Sequence, residues 1–343
     1  MPASPIRLLL LADTHLGFDL PMRPRVERRR RGEDFFANFR TALQPALEGE
    51  VDLVVHGGDL LYRSRVPPAL VEKALRPLVE VAQAGVPVYL VPGNHERSHI
   101  PLMLWGVHPH LHIFDRPRTF VCDVRGTRLS LSGFPFIRQI REAFKTSLIQ
   151  TGYLQTTADI RFLCLHQTVA GAQVGPKNFT FRGGADVIRT SEIPADFRYL
   201  LCGHIHRAQV LTHDLSGRLL PAAVIYPGSV ERTAFAERYE EKGTMLLEID
   251  PGRSKKPAEE ARFQPLPARP MFLLHLTERE LGGKPIELYV KEVVARLPED
   301  AVVSLRLEGA PEWVQGLSLS ARLLRSIAPE TMNISLAVRS DAA

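Results

Sequence analysis

Cysteine is scarce in this chain: three among 343 residues, at Cys122, Cys164 and Cys202. An odd, sparse count excludes a disulfide framework and fits a reducing compartment. Cys164 and Cys202 lie inside apolar runs and read as small core residues, not ligands. Long hydrophobic stretches are missing too. The apolar run at 8–12 meets Asp13 at once, far short of the roughly 20 residues of a membrane helix. No signal peptide or anchor is visible, so the expectation is a cytoplasmic protein with no membrane partner. Internal repeats and low-complexity tracts do not occur. Nor is there a phosphate-binding P-loop: in Gly175-Pro176-Lys177-Asn178 the lysine does not directly follow the glycine, and no Ser or Thr comes next.

What is present is ordinary and globular, 45% hydrophobic and 24% charged. The length suits one large domain or two unequal ones. With 43 basic against 38 acidic residues the formal charge is +5, and the pI is near 9.2. That mild excess suits a polyanionic partner without requiring one.

The chain begins with a buried strand at 6–11. Next comes an arginine-rich stretch, 23–31. Phe35, Phe39 and Leu43, at four-residue spacing, predict a helix with those residues on its core face. A strand at 51–55 and a helix opened by Pro67-Pro68 and closed by Gly85 follow. The helix stripe is Leu70, Ala74, Leu78 and Val81, and a strand at 86–91 comes after it. Strands alternating with helices argue a largely parallel sheet flanked by helices. Later come a hairpin at 120–124 and 128–132, a weak helix near 137–149, and strands at 160–165 and 199–202. Strands at 222–226 and 244–249 are assigned to a second sheet. Pro265-Leu-Pro-Ala-Arg-Pro270 reads as a boundary between domains 1–266 and 267–343. Beyond it a strand at 271–276, a helix with Ile286, Val290, Val293 and Leu297 on one face, an alternating strand, a helix with Leu319, Leu323 and Ile327, and a last alternating strand make a small β-α-β-α-β unit.

Five of the apolar runs end in chemistry. They deliver Asp13-Thr-His15, Gly57-Gly-Asp59, Gly93-Asn94-His95, His166, and Gly203-His204-Ile-His206. In extended backbone residues i and i+2 point the same way, so His204 and His206 are expected to converge on one point. Carboxylate, imidazole and amide oxygen together suit a pair of borderline-hard divalent ions. Each motif alone occurs by chance; in this order, each at a strand end, they point to a dinuclear metal site. His108, His110 and His112 share two-residue spacing, but Pro109 intervenes and no acidic residue accompanies them, so they read as structural. His56 reads as packing. Glu96 and His99 are candidates for the rim of the site.

This constellation resembles the signature of calcineurin-like metallophosphoesterases over roughly the first 265 residues. The resemblance implies a four-layer αββα β-sandwich flanked by helices. It implies that Asp13, His15 and His206 hold one metal, that Asn94, His166 and His204 hold the other, and that Asp59 bridges them. A bridging carboxylate offsets part of the repulsion between cations about 3.5–4 Å apart, which activate a bridging water as hydroxide. His95 is similar to the family's non-ligand histidine at the leaving oxygen. Oxygen and nitrogen ligands without thiolate favour manganese as Mn2+, with iron or zinc as alternatives.

Tyr226-Pro-Gly-Ser-Val-Glu-Arg-Thr-Ala-Phe-Ala-Glu237 further resembles a segment of SbcD-like DNA repair nucleases, in which a small C-terminal α/β domain caps the core. The implied activity is Mn-dependent hydrolysis of DNA phosphodiesters, exonuclease or endonuclease, in DNA repair. Competing readings are a phosphoesterase for small phosphodiesters or nucleotides, and a non-catalytic scaffold. Arg28, Arg29, Arg30 and Arg31 are candidate DNA-backbone contacts, the bland alternative being a solvated loop. A homodimer is a further partner expectation. An SbcC-like ATPase is not expected, since the sequence stops at Ala343 without the helices that would grip one. Tyr62 and Glu96 depart from the family pattern, where His or Asp and Asp are commoner; His95 is expected to rely on one of them for orientation.

Overall fold

A strand that is apolar along its whole length needs both faces covered. Here the cover is a second sheet on one side and helices on the other. The computed structural model describes residues 5–19, 30–96, 108–252, 257–309 and 319–338. The chain forms two compact units: 1–18 with 34–231 and 240–267, and 19–33 with 232–239 and 268–343.

In the larger unit, Ile6–Leu11, Leu53–His56, Val88–Leu90 and Leu111–Ile113 lie side by side in parallel. Gly243–Ile249 and Ala261–Pro265 extend this sheet antiparallel beyond Ile6–Leu11. Residues 244–249, expected in the second sheet, belong to the first, where Leu8 pairs with Leu247. The second sheet runs Gln209–His213, Leu219–Tyr226, Tyr199–Gly203, Ile160–His166, Thr127–Gly133, Arg118–Val124. Its last two strands are the predicted hairpin, closed by a tight turn at Arg125-Gly126, where φ is +51° and +80°.

Period-two alternation sorts the side chains into layers. Leu8, Leu10, Val55 and Tyr89 of the first sheet meet Phe162, Cys164, Tyr199 and Leu201 of the second in one core. On the outer side, Leu9, Leu11 and Val54 pack against Phe35, Phe39 and Leu43 of the helix Arg31–Leu47 and Leu70, Ala74 and Leu78 of the helix Pro68–Gln83. On the far side, Leu163, Leu165, Leu200 and Cys202 cover Ile140, Phe144 and Leu148 of the helix Ile140–Gln150. This is helix–sheet–sheet–helix, as expected.

The smaller unit contains a three-stranded parallel sheet, Met271–Leu276, Val302–Leu307 and Asn333–Val338. Its helices include Ile286–Val294, which buries Ile286, Val290 and Val294, and Ala321–Ile327, which buries Leu324. Ile286 and Val290 are buried as expected, and Leu297, Leu319 and Ile327 pack against the same core; at one position in each helix the buried residue is the next one along, Val294 for Val293 and Leu324 for Leu323. Among the described residues no helix is long and apolar enough to cross a membrane.

Candidate metal centre

The five strand ends meet, three from the first sheet and two from the second. Tyr199–Gly203 and Ile160–His166 are parallel neighbours with Gly203 opposite His166, so the His204 motif starts beside the His166 ring. The backbone then turns sharply. His204 has φ +86°, and Asp13, His15 and Asp59 have φ +51°, +44° and +52°. His204 is therefore not in extended backbone, and its imidazole parts from that of His206.

Two clusters result. In one, Asn94 Oδ1, His166 Nε2 and His204 Nδ1 stand 3.0–3.2 Å apart. In the other, His15 Nε2 and His206 Nε2 are 3.0 Å apart, with Asp13 Oδ1 4.0 and 3.9 Å from them. Asp59 lies between: its Oδ2 is 3.4 Å from His166 Nε2, 4.0 Å from His15 Nε2 and 3.8 Å from His95 Nε2. All seven of the expected ligands are thus brought together, with His95 beside them.

The donor set fits divalent cations. His166 Nδ1 sits 2.8 Å from the Gly57 carbonyl and must donate to it, which turns the lone pair of Nε2 on Asn94 and His204. Ligating histidines characteristically tie their second ring nitrogen to a carbonyl in this way. Lone pairs converging at 3 Å repel unless a proton or a metal lies among them. Among the described residues His15 Nδ1 is buried without a hydrogen-bond partner, so the ring's polar contacts lie on the cluster side. Groups of Asp13, His15 and His206, of Asp13, Asp59 and His166, and of His15, Asp59 and His95 each have ligand atoms within 4.8 Å.

Without a cation the site holds a proton instead. Burial would lower the His166 pKa, but the Asp59 carboxylate beside it raises it to about 9. Burial would raise Asp59, yet His166 holds it well below the usual carboxylate range. Burial, with His166 nearby, lowers His204 to about 3, which keeps its ring neutral. Asp13 is pushed up to about 6 by burial, against the pull of His166 and His206.

A family profile for calcineurin-like phosphoesterases matches residues 6–208, more than half of the chain and every one of these positions. The chain belongs to the calcineurin-like phosphoesterase family. Among curated proteins, the phosphoesterase is 23% identical over 318 residues to DNA double-strand break repair protein Mre11 of Archaeoglobus fulgidus, covering 88% of this chain and 68% of that one. To the proteins of that name from Methanopyrus kandleri and Haloferax volcanii it is 24% and 29% identical, over 72% and 90% of this chain. It spans 55% and 62% of their lengths. Among solved structures, a dimetal phosphatase from Danio rerio aligns with 73% of this chain and 93% of its own at 14% identity and a TM-score of 0.42, too low to add to the assignment.

The departures at Tyr62 and Glu96 have structural answers in this phosphoesterase. His95 Nδ1 donates to the backbone carbonyl of Tyr62, not to its side chain, which leaves Nε2 facing Asp59. A carbonyl is available at any residue type, so this contact had no sequence signal. Glu96 does not touch His95 through its carboxyl group. It is buried and accepts from Leu61 N (2.7 Å) and Gly93 N (2.8 Å), pinning together the loops that carry Asp59 and Asn94. Burial pushes its carboxyl up to about 8, with the Asp59 charge adding to the effect.

In the sequence Gly93 marks only the end of an apolar run. A Cβ there would lie 2.2 Å from Asp59 Oδ1 and 2.4 Å from Asp59 N, so the Asp59 carboxylate needs glycine at this place. His56 is buried in packing, its Nε2 on Thr14 Oγ1 at 3.1 Å. His112 stacks on Tyr89, and His108 meets only His110 among ring contacts within the described residues. Arg30 donates to Asp19, and Arg31 to the carbonyl of Arg232. Arg28, Arg29 and His99 lie outside the described residues.

Proposed function

We propose that this phosphoesterase is a metal-dependent nuclease that hydrolyses DNA phosphodiester bonds in DNA repair. The observation that carries the reading is Asp59 standing between two clusters of lone-pair donors, a layout suited to a pair of cations and to little else. Asp13, His15 and His206 would hold one ion and Asn94, His166 and His204 the other, with Asp59 available to both. The absence of thiolate favours Mn2+. When bound, the ions supply Lewis acidity at the phosphoryl oxygens and activation of water near neutral pH.

The chain's own residues do the rest. Asp59 would offset the repulsion between two cations, and the hydrogen bond from His166 to Gly57 keeps Nε2 aimed inward. His95, fixed through Nδ1 by the Tyr62 carbonyl, offers Nε2 to hold or deliver a proton at the leaving oxygen. DNA as substrate is supported by the relatives' name and by the formal charge of +5.

The decisive experiment compares single-stranded DNA, duplex ends and bis-p-nitrophenyl phosphate with Mn2+, for the wild type, His95→Ala and Asp59→Ala. Expected is DNA cleavage that falls about 10²–10⁴-fold in His95→Ala. That variant keeps its metal, whereas Asp59→Ala loses both metal and turnover. Hydrolysis confined to the small ester would replace the nuclease reading with a small-phosphodiester enzyme. Neither metal nor hydrolysis would leave a scaffold.

A further inference from the structure

Phe136 stands beside the donor clusters. Its ring centroid is 5.6 Å from that of His204 and 6.1 Å from that of His166. The residues around it are spent on the core: Phe134 is fully buried and Ile137 packs on the same outer cluster. Phe136 is only half-buried and joins none of the four apolar cores among the described residues. A partly wet phenyl ring forgoes burial free energy, so core packing does not account for a phenylalanine here.

The ring is also held in place. Phe136 N donates to Pro92 O at 2.8 Å, two residues ahead of Asn94. Gln167 Nε2 donates to Ile137 O at 3.0 Å, one residue beyond His166. Both tethers run to segments that carry candidate ligands, so the ring keeps its station relative to the phosphoryl site. Arg138, two residues on, is exposed and adds a cation to the same rim.

In a nucleic acid each phosphodiester lies one sugar away from a base. A phosphodiester held at the two clusters therefore carries a base to the rim, where Phe136 presents an aromatic face. Stacking on such a face needs no particular base, because every base has a π-face. It does need a base released from its neighbours, since a base inside a duplex is already stacked.

We propose that Phe136 is a base-stacking platform that selects an unpaired nucleobase next to the scissile phosphodiester, a specificity role that rests on the nuclease reading above. It directs the enzyme to single-stranded segments and frayed ends, and it separates nucleic acid from phosphodiesters that lack a ring.

The test uses the full chain with Mn2+, oligothymidylate, and an abasic polymer of the same length and charge. Wild type is expected to favour oligothymidylate in kcat/KM by roughly fivefold to a hundredfold, the range that base–aromatic stacking supplies. Phe136→Ala loses that preference, with no change on the abasic polymer and no loss of bound metal, whereas Phe136→Trp retains it. A readout without turnover comes from the His95→Ala background: bound 2-aminopurine DNA is quenched there, and Phe136→Leu abolishes the quench. Equal cleavage of the two polymers by wild type would overturn the platform and leave the nuclease standing. An equal loss on both polymers in Phe136→Ala, with less metal bound, would reassign the ring to supporting His204 and His166. If wild type neither cleaves nor binds either polymer, the nuclease and the platform fall together.

Discussion

Four of the candidate ligands, Asp13, His15, Asp59 and His204, sit in left-handed backbone. Each such residue costs on the order of 1–3 kcal/mol and persists only where its surroundings over-determine it. Here the surroundings are close glycines and a carboxylate pinned from both sides. Asp59 Oδ1 accepts from His95 N at 3.0 Å, and Gly93 leaves room for it. Gly93→Ala should therefore push the Asp59 carboxylate aside, with metal content by elemental analysis falling to near zero while circular dichroism stays native. Retained metal would show that the carboxylate adjusts.

The His166 proton yields a pH prediction. Its folded pKa is about 9, above the ordinary 6.5, so below pH 9 an entering cation must expel that proton. Metal affinity should rise with pH, up to about tenfold per unit below 9 from this one group. Calorimetry in two buffers of different ionisation enthalpy should report roughly one proton released per protein molecule on filling of the cluster that contains His166 at pH 7.5. The same proton stabilises the metal-free fold: its contribution is complete below about pH 6.5 and is lost as pH rises through 9. Glu96, raised from 4.5 to about 8, acts with the same sign over its own window. Metal-free protein should thus melt at a lower temperature at pH 9 than at pH 6.5, and an unchanged or higher melting temperature would contradict the assignment.

At the level of elements, the strands and their alternation were legible because a run such as Leu8 to Leu11 needs cover on both faces whatever its partners. Sheet membership was not legible. The run at 243–249 is apolar enough for either sheet, and its place beside Ile6–Leu11 comes from pairing across more than half the chain. The helices Ile286–Val294 and Ala321–Ile327 show the opposite limit, since trading Val293 for Val294 and Leu323 for Leu324 at one position of each stripe leaves the hydrophobic periodicity nearly unchanged. The inter-sheet core gives a direct test. Phe162 is fully buried between the sheets, so Phe162→Ala should destabilise the protein by about 3–5 kcal/mol in urea titrations. A cost under about 1 kcal/mol would mean that the sheets do not pack as described.

For the molecule as a whole, each unit has its own apolar core, and all the candidate ligands belong to the larger one. Removing metal should therefore act on one unit. Each ion at a hundred times its Kd contributes about 2.7 kcal/mol by mass action. Chelation should lower the melting transition of the larger unit, read by exchange protection of the strand Ile160–His166, and leave that of Val302–Leu307 in place. A uniform shift across both would argue against a site confined to the larger unit. The smaller unit also takes in 19–33 and 232–239, segments far apart in the chain that hydrophobic pattern does not connect.

The sequence by itself determined which atoms are available and roughly where. A carboxylate, amide or imidazole just after an apolar run is a local fact, readable because strand and ligand are neighbours in the chain. Only the tertiary structure decided how those atoms are shared out: His204 with Asn94 and His166, His206 with His15, Asp59 between them, and the Tyr62 carbonyl behind His95. Those pairings join residues as far as 191 positions apart through backbone angles that L-residues adopt only under constraint, and that constraint exists only once both sheets are packed.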